Sequence, residues 1–430
     1  MKSIGILGAG PMGLACAYYA QKKGYKITLI EAAPFIGGMA SHFDFSGTSI
    51  EKFYHFICKT DFDTFELLDE LQLSDKLTWK NTSMGYFIEG KLYKWGDPFS
   101  LLFFEKFSLI SKIRYGLNAF FTSKRKNFDS LENLSAEEWL KSWIGEKAYD
   151  LAWKKLMDYK FYEYSSSISA AWIATRMKRV GNSRKSILQE QLGYLEGGSE
   201  TLVNALADKI KDDGGKIIIN SPVTNLMISE EKKILGLEAN NEKLYFDSVI
   251  STIPTPYLDE ILGETSLDFR NKYKQIENIG VVCVIYKLKK GVSKHFWVNI
   301  NDERFELPGL IEFSNLRKIE NDLKIIYLPY YMPITHEKFE KNDEYFFEET
   351  FNYLQMLNPN LEKEDVIDFS VNKLKYAQPI CDVGFKEKIP PIQTDIEDLY
   401  IADTCFYYPE DRGVSESVKL AKKIIRDIID

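Results

Sequence analysis

The spacing of apolar positions divides the chain into a strand–helix–strand start, a helical middle and a strand-rich later half. Residues 3–7 (Ser-Ile-Gly-Ile-Leu) are a short apolar run that predicts a buried strand. From residue 14 to 23, apolar and small side chains recur at helical spacing until Gly24 stops them, and residues 26–30 are a second strand run. Residues 61–73 place Phe62, Phe65, Leu68 and Leu71 on one helical face, and residues 84–93 read as a hairpin turning at Glu89-Gly90. Residues 98–121 are the most apolar stretch, broken by Glu105, Lys106, Lys112 and Arg114. They predict a helical pair buried in a cap, which is the preferred reading, or a helix lying on a membrane surface. In residues 134–161 a capping box, Ser135 with Glu138, opens a helix carrying Trp139, Leu140 and Trp143. Gly145 breaks it, and a second helix carries Tyr149, Trp153 and Leu156.

The later half alternates more tightly. Gly197-Gly198 precedes a helix that runs to residue 211, and Gly214-Gly215 ends it. Strands follow at 216–219 and 223–228, a hairpin at 235–238 and 244–246, and a strand at 248–253. Residues 281–287, 296–300, 310–313 and 323–329 are strand runs rich in Val, Ile, Tyr and Phe. Residues 337–356 read as a helix and 399–402 as a last strand, and Gly413 opens the final helix.

Composition narrows the classes. A chain of 430 residues exceeds one simple core, so two domains are expected. The net charge of −8 argues against nucleic acid as a partner. The five Cys are scattered without a C-x-x-C and there are four His, so neither a disulfide framework nor a metal centre is indicated, and a reducing cytoplasm fits. No apolar run reaches the roughly 20 residues that span a bilayer. No signal peptide is expected, because the first strand begins at residue 3. Aromatic residues, 14 % of the chain, suit a ring-lined cavity or an aromatic core equally.

The chemistry is concentrated at Gly8-Ala9-Gly10-Pro11-Met12-Gly13, between the first strand and the first helix. Gly8 permits a tight turn, Gly10 lets backbone N–H groups approach a pyrophosphate, and Gly13 lets helix and strand pack closely. Glu31 ends the second strand, where a carboxylate accepts hydrogen bonds from ribose hydroxyls. Gly37-Gly38 then permits a second close backbone approach, which an extended FAD needs.

Gly8 to Glu31 followed by Gly37-Gly38 resembles the start of the flavin-dependent amine oxidase superfamily, which includes protoporphyrinogen oxidase and carotenoid-phytoene desaturases. Residues 192–203 and 399–420 resemble its later motifs. The resemblance implies an α/β fold: a Rossmann-type FAD-binding domain of the glutathione reductase kind, with an inserted α+β substrate domain. Residues 1–80, 192–255 and 391–430 would form the FAD-binding domain, and 81–191 and 256–390 the substrate or cap domain. It implies FAD contacts from Gly8, Gly10, Pro11, Met12, Gly13, Glu31 and Ala32. Further contacts would come from Gly37, Gly38, Met39 and Ala40, from the Val223 backbone, and from Asp403, Gly413, Val414 and Ser415. Glu51, Tyr54 and His55 match an acid, an aromatic and a His near the flavin, which makes Tyr54 and His55 the catalytic candidates. Arg412 is expected to pair with Asp411, the preferred reading, or to bind a substrate anion.

The implied activity is FAD-dependent oxidation of a hydrophobic or ring-containing small molecule. The location would be cytoplasmic, at the inner face of the membrane if 98–121 lies on it. A second reading is a non-redox flavin enzyme of the UDP-galactopyranose mutase kind, which needs an arginine cluster such as Arg176, Arg179 and Arg184. A third is a flavin-bound assembly partner without turnover. Electron acceptor and oligomeric state are not indicated by the sequence.

Overall fold

The computed structural model describes residues 1–263, 265 and 267–427. Four separated stretches of chain meet in a five-stranded sheet, in the order Lys216–Ile218, Lys26–Ile30, Ser3–Leu7, Ser248–Ser251, Leu399–Ile401. Every pairing in it is parallel, with Gly5 opposite both Thr28 and Val249. The central strand Ser3–Leu7 is buried on both faces, which is why it reads as an unbroken apolar run rather than an alternation. Helices Pro11–Lys22, Glu200–Asp212 and Val414–Asp427 cover one face through Leu14, Ala17, Leu206, Ile210, Val418 and Ile424. An antiparallel sheet of three strands, Val223–Ile228, Ile234–Ala239 and Glu242–Tyr245, closes the other through Leu226 and Leu237. This is a Rossmann-type α/β arrangement.

A second, seven-stranded sheet has the order Val366–Pro379, Asn278–Leu288, Lys324–Met332, Gly309–Glu312, Trp297–Ile300, Met84–Ile88, Lys91–Trp95. It is antiparallel except where Trp297–Ile300 lies parallel to Met84–Ile88. Along Lys324–Met332 the faces alternate. Tyr327 and Tyr331 join a core with helices Ala136–Ile144 and Ala170–Asn182, whereas Ile326, Leu328 and Tyr330 pack against helix Asp343–Leu357.

Two expectations change. A three-stranded antiparallel sheet, Leu77–Thr82, Gln189–Leu195 and Arg184–Ser186, has no counterpart in the sequence reading. Lys80 and Leu192 pair within it, where the chain was expected to leave and re-enter the FAD-binding domain. The stretch 98–121 is not a buried pair. It forms helices Pro98–Phe103 and Leu109–Lys124, and Phe99, Phe103, Leu109, Ile110, Ile113, Leu117, Phe120 and Phe121 are all exposed. The helix is turned inside out: Asn118 and Thr122 face the protein while the apolar stripe faces away. Among the described residues, no helix is long and apolar enough to cross a membrane.

Candidate flavin and substrate site

The strand Ser3–Leu7 delivers the chain into a turn at Gly8, whose φ of +93° suits a residue without Cβ. Gly8 N–H donates to Ile30 O at 2.8 Å, tying the turn to the neighbouring strand. At Gly13 a Cβ would stand 1.9 Å from Gly8 O, so helix and turn pack at backbone contact. Helix Pro11–Lys22 starts at Gly10 without a side-chain cap, which leaves its first N–H groups and its positive dipole end for an anion. Gly37 (φ +103°) and Gly38 (φ +53°) bring the second pass alongside, with Gly37 N–H donating to Ala9 O at 2.8 Å.

Glu31 is set at the rim of this cradle. Its carboxylate accepts from Ala9 N–H at 2.7 Å and from Ala33 N–H at 2.9 Å, which fixes its orientation and leaves lone pairs for hydroxyls. Asp403 is buried, and both of its oxygens accept backbone N–H groups, from Thr255 and Cys405 at 2.7 Å each. Burial nevertheless pushes its pKa up. Its carboxylate therefore orients the backbone where the last strand and Thr255 meet.

A single cavity of about 810 Å³ joins these parts to the substrate sheet. Gly8, Gly10, Pro11, Met12, Gly13, Glu31, Ala32, Gly38, Met39, Ala40, Val223, Asp403, Gly413 and Val414 all line it, as do Tyr54 and His55. Gly37 and Ser415 do not. Gly37 supports the turn from behind, against Ser41, and the Ser415 hydroxyl turns away to accept from Thr64 N–H at 3.4 Å.

At the far end, His55 Nδ1–H donates to Phe53 O at 2.7 Å, and burial lowers the imidazole pKa against the opposing pull of Glu51. Glu51 is 2 % exposed. Burial resists its ionisation, but the His42 imidazole 3.4 Å away and hydrogen bonds from Ser199 prevail, and its pKa falls to about 2. Its Oε2 is buried without a partner among the described residues, on the cavity wall. Tyr54 packs edge-on against Trp297, with ring centroids 5.9 Å apart, and burial pushes its phenol pKa well up.

Lys160, which the sequence did not mark, lines the cavity together with Arg176, Tyr331, Asp411 and Arg412, and the five converge here from four elements. The expected Asp411–Arg412 side-chain pair does not form. Asp411 pairs with Arg176 at 3.3 Å, and Arg412 donates to Ala377 O, Gln378 Oε1 and Tyr331 Oη. Arg179 is held by Asp61 through two bonds of 3.0 and 2.8 Å. Arg184 lies outside the cavity and binds backbone carbonyls of Gly181 and Ile187, so the three-arginine cluster does not assemble.

A parallel sheet bearing a two-pass glycine cradle, faced by a second sheet across one cavity, defines a flavin-containing oxidoreductase class of protein. The orphaned Glu51 Oε2 and the open space at Gly10, where a Cβ would meet only Gly38 Cα at 4.0 Å, fit that group. Residues 13–331 match the family model for flavin containing amine oxidoreductases, and the chain belongs to that family, whose cofactor is FAD.

The 15-cis-phytoene desaturase of Synechococcus elongatus is 23 % identical over 285 residues, covering 61 % of this chain and 60 % of that protein. The Arabidopsis thaliana enzyme of the same name is 23 % identical over 356 residues, covering 76 % of this chain and 60 % of its own. The match thus spans about 60 % of the length of these curated relatives. Among solved structures, putrescine oxidase bound to putrescine superposes with a TM-score of 0.75 at 16 % identity, covering 100 % of this chain and 99 % of that one. Reduced UDP-galactopyranose mutase gives 0.75 at 15 %, covering 100 % and 96 %. At such identities the two structures speak for the fold alone.

Proposed function

We propose that this protein is an FAD-dependent dehydrogenase or desaturase that oxidises a carbon–hydrogen bond of a hydrophobic or ring-containing substrate. One observation carries the proposal: a single cavity of about 810 Å³ runs from the glycine cradle to a chamber walled by Tyr54, Val281, Cys283, Tyr331 and Leu374. The curated relatives that match are named for desaturating 15-cis-phytoene, an apolar substrate, which agrees with such a chamber.

FAD bound there supplies the two-electron acceptor, and the protein supplies position and electrostatics. Gly8 to Gly13 and Gly38 to Ala40 would hold the pyrophosphate, Glu31 the ribose, and the Val223 backbone the adenine edge. The N-terminus of helix Val414–Asp427, at Gly413, turns a positive dipole end toward the cavity and favours negative charge there. With Nδ1 committed to Phe53 O, neutral His55 keeps Nε2 as an acceptor. The Tyr54 phenol stays protonated and orients substrate.

The same reading includes contact with a membrane surface. Residues 98–126 hold six cations (Lys106, Lys112, Arg114, Lys124, Arg125 and Lys126) against one acid, Glu105, in a chain of net charge −8. Basic groups flanking an outward apolar stripe suit an anionic lipid surface. Helix Leu109–Lys124 packs on helix Ala170–Asn182, which carries Arg176 into the cavity wall, so such a surface would lie one helix away from the substrate chamber.

The test is spectroscopic. Purified protein is expected to be yellow or to turn yellow with added FAD. It should then bleach anaerobically on a polyprenoid presented in vesicles, with an additional double bond in the product. Protein that takes up no flavin from excess FAD overturns the proposal.

A further inference from the structure

Within the substrate chamber one charged group lacks a counterpart. Lys160, in the last turn of helix Lys155–Phe161, is 4 % exposed and lines the cavity. Its ammonium makes no hydrogen bond and no ion pair among the described residues. It is surrounded by rings instead, 4.9 Å from the centroid of Tyr331, 5.3 Å from Trp172 and 5.4 Å from Phe161. A buried ammonium without a carboxylate of its own is costly, so the amine sheds its proton unless an anion enters to meet it.

Its neighbours deepen the imbalance. Arg176 and Arg412 line the same wall, and Asp411 is the one carboxylate among them. Asp411 is already taken up by Arg176 at 3.3 Å and by Arg412 N–H at 2.9 Å. The Arg412 guanidinium donates to two neutral oxygens of residues 377 and 378 and to Tyr331 Oη at 3.1 Å. Lys160, Arg176 and Arg412 thus share Asp411 on a stretch of wall that Tyr54, Tyr331, Cys283 and Leu374 also line. Burial first, and then the Arg176 and Arg412 charges, hold the Lys160 pKa well below its ordinary value. An anion arriving beside it would reverse that.

We infer that Lys160, with Arg176 and Arg412, binds an anionic group on the substrate, a carboxylate or a phosphate, so the substrate is an amphiphilic anion rather than a pure hydrocarbon. This rests on the flavin-enzyme reading above and sharpens it. The cluster comes from a cap helix, a second helix and the loop before the last helix, none of them part of the Gly8–Gly13 turn. The anion would sit against Lys160, with the apolar portion of the molecule along the sheet residues Cys283, Tyr331 and Leu374.

Calorimetric titration of the FAD-loaded protein with octyl phosphate, octanoate and octanol tests this, with the flavin spectrum recorded beforehand. One or both anions should bind at least tenfold more tightly than octanol, and which of the two binds tells phosphate from carboxylate. Lys160→Met should remove the preference, and Arg176→Gln should weaken it independently, so the test survives if one variant does not fold. Arg184→Gln, outside the cavity, should leave it unchanged. Equal binding of octanol and the anions overturns the inference, and so does an anion preference that persists in both folded variants. A yellow protein without the preference sinks this inference alone, whereas a protein that takes up no flavin sinks the enzyme reading. Heat of binding is measured without turnover, so the two failures stay apart.

Discussion

Gly13 lies inside helix Pro11–Lys22 and Gly24 just beyond its end, and the two answer to different constraints. A Cβ at Gly13 would meet backbone at 1.9 Å, whereas Gly24 has a φ of +85° and nothing within 4 Å. Gly13→Ala is therefore expected to cost about 1–3 kcal/mol through overpacking and to abolish flavin retention. Gly24→Ala should cost about 1 kcal/mol through left-handed strain and keep the flavin. The ratio of flavin to protein absorbance, with Tm, checks both.

Glu51 supplies a pH dependence. Its folded pKa, about 2, lies below the ordinary glutamate value. The stability it contributes is present above roughly pH 4.5 and is lost as pH falls toward about 2, by up to about 3 kcal/mol. Denaturant titrations between pH 6 and 3 should show this acid limb, and Glu51→Gln should flatten it. At this scale the glycines and Glu31 were legible in sequence because their roles are local to one turn. Lys160 was not legible. A Lys near a helix end is ordinarily solvated, and nothing in the spacing says that this one points into a ring-lined chamber.

Helix Leu109–Lys124 shows how periodicity identifies an element without its environment. Its apolar stripe was legible, but a stripe says only that one face avoids water, and the structure puts that face outward, with Asn118 and Thr122 inward. Replacing Ile110, Leu117 and Phe120 by Ser should change stability by no more than about 0.5 kcal/mol each, because no core is touched. The same triple variant should lose retention on anionic vesicles in flotation. Leu140→Ala in the buried face of helix Ala136–Ile144 should instead cost about 2–5 kcal/mol without altering flotation. Strand Gln189–Leu195 went unread for a related reason. Its partner is Leu77–Thr82, more than a hundred residues away, and its own sequence, QEQLGYL, is too polar to announce a strand.

Over the whole molecule, the cavity proposed for FAD is lined by segments that are distant in sequence. The cavity wall draws on Gly8 to Gly13, Asp403 and Gly413, from two strand–helix connections of the parallel sheet, and on Val223 at the start of the three-stranded sheet. Ligand that binds only the folded state stabilises it by mass action, about 2.7 kcal/mol at a hundredfold excess over Kd. Flavin-depleted protein should therefore melt several degrees higher when FAD is added, in a concentration-dependent way. A Tm indifferent to FAD would contradict the site.

The sequence by itself determined the βαβ start, the glycine cradle, the acid at the second strand's end and, through them, the cofactor, because these depend on backbone geometry within a few consecutive residues. The tertiary structure alone decided which face of the Tyr327–Tyr331 strand meets the cavity, since both faces of that sheet are buried and neither is marked by polarity. It alone brought Lys160, Arg176 and Arg412 together, because charges from three separate elements acquire a common field only once the chain has closed around the space between them.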